Sequence, residues 1–85
     1  MKVIQTDDFQ RILAKFPQEI QQLYLTQKER FLVNWRDPRL HVKKVQSLDH
    51  TLSFRITRRY RVFFYFQNAD TAIFFDVDHR KDAYR

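Results

Sequence analysis

Apolar residues fall along this chain with two different periods, and the change between them divides it. Near the start, residues 2–5 alternate weakly, as a short first strand would. Thr6-Asp7-Asp8 then has the chemistry of a helix start: a capping hydroxyl followed by two acids where the helix dipole favours negative charge. Phe9, Ile12, Leu13 and Phe16 follow at i, i+3, i+4 and i+7, one stripe of a short helix. Pro17 breaks that helix and suits the first position of the next. From Gln18 to about Trp35, Ile20, Leu23, Tyr24, Phe31 and Trp35 share a face that Gln27 interrupts. Leu25 and Leu32 lie to one side and would widen the buried stripe. Asp37-Pro38 closes this helix, because the residue before proline avoids helical geometry.

Residues 39–50 read as an extended, basic connector, and beyond them the period becomes two. Leu52, Phe54 and Ile56 alternate with Ser53, Arg55 and Thr57; residues 60–67 and 71–77 form two further strands joined by Asn68-Ala69-Asp70. With no glycine in the chain, Asn68 and Asp70 are the residues expected to take left-handed conformations at that turn. The predicted architecture is α+β: a short first strand, a two-helix hairpin, then a three-stranded antiparallel meander with the helices on one face. The 85 residues make a single domain, 1–85.

On the other face, the set containing Arg61 must point away from the helices, since an unpaired buried arginine costs several kcal/mol, roughly 3–5. Alternation then puts Arg55, Arg61, Phe63, Tyr65, Phe74 and Asp76 on the open face, with Ile73, Phe75 and Val77 inside. Aromatics left uncovered on a sheet point to a partner. Arg58 and Arg59 fall at a turn.

Composition narrows the function. Sixteen Lys/Arg against ten Asp/Glu give +6, which favours polyanionic partners, and four of the arginines lie between positions 55 and 61. Arginine beside aromatics on a strand surface is what grips a phosphate backbone and stacks bases. The absence of cysteine excludes disulfides and thiolate metal sites, and the absence of glycine excludes glycine-rich phosphate loops. His41 and His50 have no metal-ligand spacing, and no cofactor or metal is expected. The opening residues lack the apolar segment of a signal peptide, and no run reaches the length of a membrane span; the expectation is a cytoplasmic protein that does not enter a membrane.

The element order, the phrase Phe54-Arg55-Ile56-Thr57-x-x-Tyr60-Arg61-Val62-Phe63-Phe64 and the close His79-Arg80-Lys81-Asp82-Ala83-Tyr84 resemble the RelE/ParE superfamily of bacterial type II toxins. The segment Asp37-Pro38-Arg39-Leu40-His41-Val42-Lys43-Lys44-Val45 is similar to the one that leads into that family's sheet. The resemblance implies a cognate antitoxin and, for RelE-like members, cleavage of mRNA on the ribosome, the nucleotide's own 2′-hydroxyl attacking the adjacent phosphate. It carries Arg61 to the family's sheet arginine, Arg80 to its C-terminal arginine and Tyr84 to its C-terminal tyrosine. Ser53 stands where RelE has a lysine, and Asp78 where many members have glycine. His79 is a candidate general acid, since histidine titrates near neutrality. Arg55, Arg58, Arg59, Lys43, Lys44 and Lys81 are the candidate RNA-binding cations. Two other readings stay open: a ParE-type gyrase poison without catalysis, and a non-toxic module that binds RNA or a peptide.

Overall fold

In the computed structural model, which describes residues 1–79, two helices lie on one face of a five-stranded mixed sheet. The elements run β1 (Lys2–Gln5), α1 (Asp7–Ala14), α2 (Gln18–Val33), a 3-10 turn (Pro38–Leu40), β2 (Lys43–Lys44), β3 (Leu52–Arg55), β4 (Tyr60–Asn68) and β5 (Thr71–His79). The α+β reading holds, and β3, β4 and β5 are the expected antiparallel meander. Two strands extend it. β1 pairs parallel with β5, and the connector contributes β2, antiparallel to β3, so the order is β1-β5-β4-β3-β2. No helix among the described residues is long and apolar enough to cross a membrane.

Thr6 caps α1 as expected, its Oγ1 accepting from the Phe9 amide at 3.1 Å. Pro17 falls one residue earlier than expected, at the N-cap of α2. That helix ends at Val33, and Trp35 packs edge-on against Phe66 from the segment beyond it. Phe31 is the centre of the core: it meets Phe64 and Phe74 edge-on at 5.0 and 5.1 Å and lies tilted against Phe54 at 5.5 Å. Phe9 and Tyr24 extend this cluster toward β5, and the Tyr24 hydroxyl donates to Gln5 Oε1 on β1. Burial pushes the Tyr24 pKa up.

Three expectations are corrected. Leu25 and Leu32 are exposed rather than part of a broad buried stripe. Phe74 is fully buried, because β5 carries an extra residue: Phe63 pairs with Asp76 and Phe64 with Phe74, leaving Phe75 as a bulge. The bulge shifts the alternation by one, so Ala72 and Phe74 join Val77 in the core, while Ile73 and Phe75 move to the face away from the helices. At the β4–β5 turn neither Asn68 nor Asp70 is left-handed; Asn68 Oδ1 accepts from the Asp70 amide at 2.8 Å in a local side-chain turn. Among the described residues, the two positive φ values belong to His41 (50°) and His50 (57°).

Candidate nucleic-acid interface

Strand registers build the open face row by row. Lys43 pairs with Ser53 and Ser53 with Phe63, while Arg55 pairs with Arg61 and Arg61 with Asp78. Residues paired across neighbouring strands point to the same face, so Lys43, Ser53, Arg55 and Arg61 share one side of the sheet. Lys43 sits two strands from β4, about 10 Å away at ordinary strand spacing.

Arg61 is the organised group of this face. Its Nε and Nη2 donate to Ser53 Oγ at 3.1 and 2.8 Å, and Nη2 also donates to the His41 carbonyl at 3.2 Å. Ser53 is itself buried, so the guanidinium is propped from below and its plane is set. His41 reaches it because a left-handed backbone caps the 3-10 turn there and directs that carbonyl to the sheet. Burial, and then the charge of Arg55, pull the Arg61 pKa below the ordinary arginine value. Like charges directly opposite one another on a sheet are unfavourable. Arg55 adds a second sign of an unmet need: its Nε is buried with no hydrogen-bond partner. A partly desolvated arginine pair of this kind can receive an anion with two or more acceptor oxygens.

The other candidates divide between faces. Arg58 and Arg59 are exposed in the β3–β4 turn, where the Arg59 amide donates to Thr57 Oγ1. Lys44 pairs with Leu52 and turns to the opposite side from Lys43. His79 pairs with Tyr60 and stacks on its ring at 4.2 Å; Tyr60 in turn meets Phe16 of the helical layer, so His79 lies on the far face from Arg61. Arg80, Lys81 and Tyr84 lie outside the described residues. The expected display of open aromatics shrinks: Phe74 has moved to the core, Phe63 is buried although it lies on the Arg61 side, and Tyr65, tilted on Phe75 at 5.7 Å, is the exposed ring. Asp76 faces Phe63 and accepts from the Val77 amide. Among the described residues no cluster of three or more His, Asp or Glu could hold a metal.

Sequence reasoning missed Gln27. Its Nε2 donates to the carbonyls of Arg39 (3.1 Å) and Arg55 (2.7 Å), and its Oε1 accepts from Arg30 Nη1 at 2.8 Å. One buried amide thus ties α2 to the 3-10 turn and to the end of β3. Its signal was the polar break in an otherwise apolar stripe.

No family model and no curated protein sequence matches this chain. Solved structures do. The chain aligns with a chain of the RelB–RelE antitoxin–toxin complex of Methanococcus jannaschii at 25% identity and a TM-score of 0.75, covering 95% of this chain and 94% of the other. The chain is RelE-like. A chain of the RelBE2 toxin–antitoxin complex of Mycobacterium tuberculosis aligns at 26% identity and a TM-score of 0.62, over 93% and 96% of the two lengths. The archaeal RelE–RelB complex of Pyrococcus horikoshii shares the fold at 16% identity and a TM-score of 0.73, over 96% and 97%. The RelE fold therefore spans nearly the whole chain, with Arg61 on the sheet face that the helices leave open.

Proposed function

We propose that this RelE-like chain is the toxin of a type II toxin–antitoxin module and an endoribonuclease that cuts mRNA on the ribosome. The observation that carries the reading is Arg61, held by Ser53 and the His41 carbonyl on the open face and facing Arg55. In the reaction the nucleotide's 2′-hydroxyl attacks the adjacent phosphorus, a cyclic phosphate forms, and the 5′-oxygen leaves with a proton. No protein nucleophile is required. Arg61 and Arg55 stabilise the charge that builds on the phosphoryl oxygens, where preorganised cations contribute most. Lys43 supplies on β2 a strand cation that Ser53 does not supply on β3. Arg80 and Tyr84 complete the set by resemblance, for phosphate stabilisation and for stacking or proton transfer. The related chains were solved with RelB antitoxins, which supports a cognate antitoxin as the resting partner.

One observation favours a second reading. Ser53 is spent on positioning Arg61, so β3 offers one cation, and a ParE-type gyrase poison needs no cleavage set. Expression in a bacterium, with growth and mRNA 5′ ends compared between the wild type and Arg61→Ala, separates the two. Codon-phased cuts that vanish in the variant are expected. An SOS response with intact messages would overturn the ribonuclease reading in favour of gyrase.

A further inference from the structure

Beside the Arg61 face, a cleft of about 340 Å³ opens between α2 and the end of β3. Four arginines line it: Arg30 from α2, Arg39 from the 3-10 turn, Arg55 from β3 and Arg58 from the turn after it. No carboxylate is among the lining residues. Asp37, outside the lining, neutralises Arg39 through paired contacts at 3.1 and 2.7 Å, which leaves three guanidinium charges around one small space. A folded chain gathers like charges in this way at a cost in self-repulsion, and a bound polyanion removes that cost. Arg55, whose buried Nε has no hydrogen-bond partner, is one of the lining residues.

The cleft is continuous with the site already described. Arg55 faces Arg61 across β3 and β4, and His41 both lines the cleft and accepts from Arg61. Gln27 holds the walls at a set separation by bonding the carbonyls of Arg39 and Arg55.

We infer that this cleft is a second phosphate subsite, which takes the backbone of single-stranded RNA next to the phosphate held at Arg61. The inference rests on the ribonuclease reading for the identity of its ligand. Leu23 and Ile56 are the apolar residues of an otherwise polar lining, which suits a sugar–phosphate backbone better than the apolar side chains of an amphipathic peptide.

The test uses the full chain and a fluorescein-labelled 12-nucleotide 2′-O-methyl RNA, which cannot be cut by its own 2′-oxygen. Binding is followed by anisotropy between about 50 and 200 mM salt, where affinity for a single strand falls with a log–log slope of about 0.7 per neutralised phosphate. The double variant Arg30→Gln, Arg58→Gln is expected to lower that slope by about 1.4 and to weaken binding roughly tenfold at low salt. Lys2→Gln, Lys15→Gln removes the same charge from exposed sites outside the cleft and is expected to change affinity less than about twofold. Equal losses in the two double variants would reduce the effect to net charge and overturn the subsite. So would an unchanged slope in Arg30→Gln, Arg58→Gln. Loss of binding to a 12-residue polyglutamate with RNA binding intact would assign the cleft to an acidic protein partner instead. The ribonuclease reading fails separately: a cleft-dependent slope in a chain that cuts no message on the ribosome keeps the subsite and removes the enzyme.

Discussion

Gln27→Glu is an isosteric change that reverses one group's hydrogen-bonding role without opening a cavity. In the wild type, the amide donates to two carbonyls at 3.1 and 2.7 Å, and the residue is only 6% exposed. A carboxylate has no proton to donate, so both carbonyls lose their donor and face a negative oxygen; the contact from Arg30 survives. A buried acceptor left without its donor costs about 1–3 kcal/mol, so the pair amounts to roughly 3 kcal/mol at pH 7. For a domain of this size that corresponds to a fall in Tm of about 12–24 °C. The new carboxylate also pairs with Arg30 and faces the other guanidiniums of the same cleft, which recovers part of the loss. Urea unfolding at pH 7 measures the net effect, with Trp35 as the single tryptophan reporter. A loss under about 0.5 kcal/mol would refute the bridging role of Gln27.

Ser53→Ala removes the acceptor of two Arg61 donors and is expected to cost about 1–2 kcal/mol in urea unfolding while reducing ribosome-dependent cleavage more than tenfold; full activity would show that Arg61 needs no aiming. Phe31→Ala empties the centre of the core at about 3–5 kcal/mol, most of what an 85-residue domain holds, so a cooperative melt should be lost near 37 °C; a fall in Tm under about 10 °C would contradict the central role of that ring. The side chain and then the amide of Arg39 hold the Asp37 carboxyl down to about 2. That depressed folded value contributes stability above pH 4 that is lost as pH falls toward 2, so Asp37→Asn should flatten the acid limb of a stability-against-pH curve. Superimposable acid limbs would remove Asp37 from the account.

The two periods placed both helices and the meander because each amphipathic element states its own buried face. Arg61 was legible on similar grounds, since a lone guanidinium cannot enter an apolar layer. The bulge at Phe75 was not legible: Ala72 to Phe75 is an unbroken apolar run, and pleat alternation carries no mark of an inserted residue when both neighbours are apolar. That one insertion moved Phe74 from the open face to the core. β2 was hidden by its length, two lysines whose pairing depends on β3 rather than on their own pattern. The left-handed sites fell to histidines instead of Asn68 and Asp70, because the capping of the 3-10 turn and the 45–51 turn set the backbone there, not residue preference. His41 consequently entered the site through its carbonyl, a contribution no side-chain motif announces.

The parallel pairing of β1 with β5 sets a timetable for the newborn chain. Lys2 must wait for Thr71, and Gln5 for Phe74, so the first strand to be synthesised is among the last to find its neighbour. β5 is also the partner of β4, and Phe74 completes the ring cluster around Phe31. Until β5 has left the exit tunnel, the five-stranded sheet and the full ring cluster around Phe31 cannot close. A chain that stops before β5 lacks the strand that both β1 and β4 pair with, so the native sheet should form in one late step.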